Sequence, residues 1–247
     1  VSLILLVASI LIIGSLRMIE ISNTITPLRL AATVILIRDG NAGLEVLLLQ
    51  RSKAIKHMGG IWVFPGGKVE ASDQEDISNI LQISRKTAVR ETSEETRIKL
   101  LPKELVPFSH WTTPEGVKKR FSTWFFVVHV DSGSEVLVDG SEITDYRWIE
   151  ANIPISELNG ESGSIRLAPP TFISLLELSK FSDSYSLLEA LHAREPMFFE
   201  PKMISIEDGL CFLYKEDVAY KHLEINVAGI RHRTYMRKNV LKYIHEV

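Results

Sequence analysis

Glu91, Glu94 and Glu95 stand at positions i, i+3 and i+4. Each helix residue advances about 100°, so on a helix the three carboxylates share one face within an arc of about 100°. Like charges so placed repel one another and weaken an isolated helix. A cation among them removes that repulsion, and oxygen ligands suit hard ions such as Mg2+ or Mn2+. Alone, three glutamates at this spacing equally fit a solvated acidic face. Two neighbours point to chemistry instead: Arg90, directly before Glu91, and the upstream turn Phe64-Pro65-Gly66-Gly67. A glycine pair takes conformations closed to other residues and brings backbone carbonyls close to a ligand.

Together these residues resemble the Nudix box, whose pattern is G-x5-E-x7-R-E-U-x-E-E-x-G-U with U aliphatic. Gly67 fits its first position, Arg90-Glu91 and Glu94-Glu95 its core, and Ile98 its last. Three positions and one spacing depart. Asp73 stands in place of the first Glu, and sixteen residues rather than seven separate it from Arg90. Thr92 replaces an aliphatic residue and Arg97 replaces the second Gly. The resemblance implies an α+β fold, a three-layer α/β/α sandwich over residues 28–160. It implies that Glu91, Glu94 and Glu95 ligate Mg2+ or Mn2+, with the Gly67 carbonyl as a further ligand. One of the three glutamates is alternatively the general base. Arg90 is expected to orient a glutamate, and all four are candidate catalytic residues. A further acid from outside the box has two candidates, Glu142 and Glu115, each of which also reads as a plain surface residue.

The run from Leu47 to Gly67 narrows the substrate. It resembles the signature L-L-T-x-R-[SA]-x3-R-x3-G-x3-F-P-G-G that precedes the box in coenzyme A diphosphatases. Leu47, Leu48, Arg51, Ser52, Gly60 and Phe64 to Gly67 match. Leu49 departs from Thr, and Lys56 keeps the charge of Arg but not its bidentate fork. Arg51, Lys56, Gly66 and Gly67 are the candidate substrate-binding residues. The run from His110 to Phe126 is similar to the same branch, which also carries a C-terminal extension. The implied reaction hydrolyses a nucleoside diphosphate linked to a second moiety. From coenzyme A or acyl-CoA it gives 3′,5′-ADP and (acyl-)phosphopantetheine. ADP-ribose, NADH, dinucleoside polyphosphates and capped RNA are the alternative substrates, and a non-catalytic Nudix-like binding protein is the rival class.

Composition bounds the rest. The chain has 247 residues, 45% hydrophobic and 24% charged, as a globular protein does. A net charge of −3 gives no general affinity for nucleic acid. The expected partner is a small nucleotide. Cys211 is the only cysteine, which excludes an internal disulfide and predicts a packed residue. Residues 1–16 are uncharged and mostly aliphatic. As a helix they span about 24 Å, short of the roughly 30 Å hydrocarbon core of a bilayer. A short membrane anchor, an uncleaved signal-like segment and an over-extended start before Met18 all fit, and the last is favoured. Membrane attachment is expected only if this segment is genuine, and the enzyme domain is expected in the cytoplasm.

The elements that must carry these residues follow from periodicity and turn chemistry. Strands are predicted over 28–38, 45–50, 61–64, 105–112, 120–130 and 142–149. Ile77, Ile80, Leu81 and Ala88 either lengthen the glutamate helix or form a small helix before it. A short helix over 153–158 closes the domain. Residues 161–247 form a C-terminal extension, with helices over 169–181 and 184–194 and a hairpin over 204–214 around Asp208-Gly209. Arg231, His232, Arg233, Arg237 and Lys238 read as a solvated basic end, or as a phosphate contact.

Overall fold

The computed structural model describes residues 19–22, 24–55, 58–75, 77–153, 165–238 and 240–246. The readings for residues 1–17, Met18, Lys56 and the helix over 153–158 beyond Ile153 lie outside the described residues. Among the described residues no helix is long and apolar enough to cross a membrane.

A mixed sheet forms the centre. Its strands are β1 (Leu28–Gly40), β2 (Gly43–Arg51), β3 (Trp62–Val63), β4 (Gly66–Lys68), β5 (Val106–Thr112), β6 (Arg120–His129), β7 (Ile143–Glu150) and β8 (Met197–Phe199). The main path is β3-β2-β1-β6-β5-β8, with β4 added beside β1 and β7 beside β2. β1 and β6 run parallel and register from Leu28 with Arg120 to Ile37 with His129. Both are covered on two faces, so their apolar residues run nearly unbroken, as fully buried strands do.

The period of two sorts those residues between two cores. Ala32, Val34, Leu36, Leu47, Leu49, Phe126 and Val128 face the helix α1 (Ile80–Thr96), which contributes Ala88. Ile35, Ile37, Val46, Leu48, Phe125 and Val127 face the opposite way. There they meet α2 (Pro169–Leu178) and α3 (Ser184–His192) through Phe172, Leu175 and Leu187. The α/β/α sandwich of an α+β protein is thus formed, and its second helical layer comes from beyond residue 160.

The C-terminal segment adds a four-stranded antiparallel sheet of β9 (Lys202–Ile206), β10 (Gly209–Leu213), β11 (His232–Arg237) and β12 (Val240–His245). The expected hairpin is β9–β10, but β8, β11 and β12 were not foreseen. Leu210, Phe212 and Tyr214 point into the larger core, where Trp111 stacks on Phe199 at 4.0 Å between ring centroids. Cys211 is fully buried on the other face, and burial pushes its thiol up to about 11.

The basic end is solvated only in part: Arg231, Arg237 and Lys238 are exposed, while His232 and Arg233 are buried. Arg233 is fully buried and clamps Asp217 with two hydrogen bonds of 2.7 Å. His232 is buried between Glu216 and Tyr243, and Arg237 donates to Asp208 at 2.9 Å. β11 puts His232 on one face of the sheet and Arg233 and Arg237 on the other, which a charge count along the chain does not show.

Phe172 is 1% exposed within the core under α2. Phe172→Ala is expected to destabilise the protein by about 3–5 kcal/mol, the usual range for emptying such a site. Urea denaturation measures it, and a loss below about 1 kcal/mol would show that α2 does not hold the sheet.

Candidate active site

α1 carries the three glutamates, and its inner face is unusual. Ser84, Thr87, Thr92 and Thr96 are fully buried beside Ala88. The threonine hydroxyls donate to carbonyls one turn back, as Thr92 does to Ala88 at 2.8 Å and Thr96 to Thr92 at 2.6 Å. Asn79 caps the helix, its side-chain oxygen accepting from Leu81 N–H at 2.9 Å and Gln82 N–H at 3.1 Å. Ile80 and Leu81 therefore lengthen the glutamate helix, while Ile77 lies before it.

Upstream, Gly66 and Gly67 do not merely end a strand. They open β4, which pairs with β1 through Thr33 and Ala32. A Cβ at Gly66 would overlap the Ala32 carbonyl, and one at Gly67 would overlap the Glu91 carboxylate. Only glycine allows helix and strand to approach this closely.

Arg90 joins the parts. Its guanidinium grips Asp73 through Nε at 3.1 Å and Nη2 at 3.0 Å. It also donates to the Lys68 carbonyl at 3.0 Å, and reaches Glu91 at 3.0 Å and Glu94 at 3.1 Å. Asp73 is 1% exposed. Burial alone would raise its pKa, but bonds from Arg90, the Glu70 N–H and Thr87 outweigh it and hold the carboxyl below its usual range. Asp73 is thus committed to Arg90.

The glutamates occupy three environments. Glu95 is buried and accepts from Gly66 N–H at 2.9 Å. Burial pushes its carboxyl up to about 8 and the Glu91 charge adds to the rise, while the Gly66 bond and Arg51 oppose it. Burial also raises Glu91, against the pull of Arg90. Glu94 is largely exposed at the rim, turned to Arg90. Among the described residues, no three acidic, His or Cys side chains group around one point as a metal cage does. The donor set nevertheless suits a hard cation. Glu95 is buried and Glu91 half-buried, the charge of Glu91 acts on Glu95, and burial disfavours the charge of both, which a neighbouring cation relieves.

Arg51 ends β2 and acts on Glu95. Its Nε is buried and has no partner among the described residues. Asp139, which the sequence reading missed, acts on Glu95 from the loop before β7. Its carboxylate accepts from the Ser141, Glu142 and Ile143 N–H groups. The Asp139-Gly140-Ser141 run was the available signal, as a turn of this type. Glu142 is exposed in the same loop, while Glu115 is exposed on the turn before β6, near the Ile21–Val117 bridge.

Comparison with known proteins agrees with this geometry. A family model described as NUDIX domain matches residues 27–167, more than half of the chain. The chain belongs to the Nudix family. The Caenorhabditis elegans protein "Putative nudix hydrolase 7" is 25% identical over 174 residues, 56% of this chain and 57% of its own length. The chain therefore spans little more than half of that curated relative. The crystal structure of a NUDIX hydrolase from Alicyclobacillus acidocaldarius aligns with a TM-score of 0.58 and 23% identity, over 67% of this chain and 97% of the other.

The departures from the Nudix pattern now have physical accounts. After Asp73 the chain next joins α1 at Ile80 and returns along its first turns. Ten helical residues rise about 15 Å, so the extra length is an excursion outward and back that still closes Asp73 on Arg90. Thr92 bonds its own helix and is packed like an aliphatic residue. Arg97 stands where the Nudix pattern has glycine and takes a left-handed conformation, which glycine favours, with φ 64°.

Two predictions follow from this geometry. Arg97→Gly is expected to stabilise the fold by about 1 kcal/mol, since a left-handed residue with a Cβ costs about that much. A melting temperature unchanged or lowered by the substitution would show that the cap is unstrained. The second concerns pH in chelator. The Glu95 pKa is raised on folding, so its contribution to stability is complete below its ordinary pKa of 4.5 and is lost as pH rises through about 8. Glu95→Gln has no such charge to bury. Its stability relative to wild type should improve between pH 5 and pH 9. Parallel curves across that range would remove the burial argument.

Proposed function

We propose that the protein is a metal-dependent hydrolase of a nucleoside diphosphate linked to a second moiety. The observation that carries this reading is buried Glu95 with half-buried Glu91, set against Gly66-Gly67, with Arg90 fixed behind them. Glu91, Glu94 and Glu95 would hold Mg2+ or Mn2+, with the Gly67 carbonyl as a further ligand. When bound, such an ion neutralises pyrophosphate charge and acidifies a water.

The chain's own residues do the positioning. Arg90 orients Glu91 and Glu94 while Asp73 holds its guanidinium in plane. Gly66 N–H fixes Glu95, whose raised pKa suits a group that takes a proton near neutrality. Arg51, at the end of β2, would set its guanidinium charge beside Glu95 to attract a phosphate.

Within this class we propose coenzyme A or acyl-CoA as the substrate. Water would cleave the pyrophosphate to give 3′,5′-ADP and (acyl-)phosphopantetheine. The match of Leu47 to Gly67 with the coenzyme A diphosphatase signature supports it, as does Arg51 beside the glutamates.

Glu95→Gln and Glu94→Gln should each reduce turnover at least a hundredfold at saturating Mg2+ or Mn2+, with unchanged circular dichroism. Near-normal turnover in either variant removes that residue from the mechanism. For the substrate, a panel of coenzyme A, acyl-CoA, ADP-ribose, NADH and diadenosine polyphosphates decides. Arg51→Ala should raise KM for coenzyme A roughly ten- to a hundredfold, with a smaller change in kcat. The loss should shrink for 3′-dephospho-coenzyme A. Equal losses on both would remove Arg51 from the 3′-phosphate. Turnover of ADP-ribose or a dinucleotide without turnover of coenzyme A would replace the substrate and keep the hydrolase.

A further inference from the structure

One cross-strand row leads away from the glutamates. Gly67 of β4 pairs with Ala32 of β1, Ala32 with Trp124 of β6, Trp124 with His110 of β5, and His110 with Phe198 of β8. Residues directly opposite one another in a sheet share a face. That face is the one covered by α1, because the Gly67 position abuts Glu91 and Trp124 packs with Phe126 and Val128. Strands lie about 4.8 Å apart, so Trp124 stands about 10 Å along the sheet from Gly67 and Phe198 about 19 Å.

The row ends in a cluster of three rings. His110 lies 5.0 Å from Trp124 and 5.7 Å from Phe198 between centroids, and Trp124 lies 5.8 Å from Phe198. Unlike Trp111 and Phe199, which pack into the core on the opposite face, these rings reach solvent. Phe198 is 61% exposed, and His110 and Trp124 are only part-buried. A polar edge adjoins them, since His110 Nε2 is 2.9 Å from Ser122 Oγ. α1 packs on β1, β4 and β6, and the rings continue that face beyond it to the β8 edge.

We propose that Trp124, His110 and Phe198, their planes inclined by 42° to 79°, form an angled shelf that takes the nucleobase of the substrate, which stacks on one ring and meets the others at its edge, with His110 and Ser122 facing its polar side. The inference rests on the hydrolase reading above and deepens it. A substrate with its pyrophosphate at Glu91 and Glu95 carries its base one ribose away, toward Trp124. Exposed aromatic faces next to a hydrogen-bonding edge take a flat heterocycle, by stacking that tolerates any base. β8 lies beyond the Nudix match, so the C-terminal segment supplies one wall of the substrate site.

The test is a calorimetric titration of adenosine monophosphate into the full chain with Mg2+, and of inorganic pyrophosphate as the ligand without a base. Phe198→Ala, at an exposed position, should weaken adenosine monophosphate about tenfold, and Trp124→Ala at least as much. Trp124→Phe, which keeps a ring, should restore most of the affinity. Pyrophosphate binding should not change in any of them. Adenosine monophosphate affinity equal to wild type in Phe198→Ala overturns the shelf, whether or not Trp124→Ala folds. So does an equal loss of pyrophosphate binding, or a wild type that does not bind adenosine monophosphate. The titration needs no turnover, so ring-sensitive binding upholds the shelf even in an inactive enzyme. Ring-insensitive binding removes the shelf even from an active one.

Discussion

The Arg90 guanidinium is the fixed point of this molecule. It lies between a buried aspartate, a strand carbonyl and two glutamates, and its charge is what lets so many acids gather there. Asp73 takes its fork in the bidentate geometry that a carboxylate and a guanidinium share. With that pair made, α1 cannot rotate without breaking it. The orientation of Glu91, Glu94 and Glu95 is therefore set by a residue that need not touch a substrate.

The closeness of α1 to β4 has a price in side chains. Gly66 and Gly67 have none to offer, and the inner face of α1 is largely hydroxyls and alanine. This packing excludes water from Glu95 and most of it from Glu91, which raises both carboxyls. A site that disfavours its own negative charge favours a bound cation. The apolar burial that stabilises a protein elsewhere is here replaced by a tight backbone approach, and its product is an electrostatic demand.

The C-terminal segment is continuous with the rest of the architecture. α2 and α3 cover the face of the sheet opposite α1, and β8 extends the sheet itself. The second sheet buries Tyr214 against Trp111 and Phe199, while its buried cation, Arg233, is paired with Asp217. That pair is buried on both sides, so it anchors the sheet rather than a ligand.

The sequence by itself determined the chemistry-bearing face. Helical spacing places Glu91, Glu94 and Glu95 together, and Gly66-Gly67 announces a close backbone approach, because both are local facts of geometry. It also determined the central strands, whose aliphatic runs leave little choice of structure. It did not reveal that Asp73 still reaches Arg90 across an insertion, because spacing along a chain does not report an outward loop that returns along a helix. The helix was legible, but its start stayed open, because the inner face of α1 carries hydroxyls where apolar periodicity looks for aliphatic residues. The burial of Arg233 depended on Asp217, sixteen residues away, and β8 depended on β5, far earlier in the chain. Tertiary structure decided these, since pairing between distant strands, and the desolvation that pushes Glu95 to about 8, exist only once the chain has closed on itself.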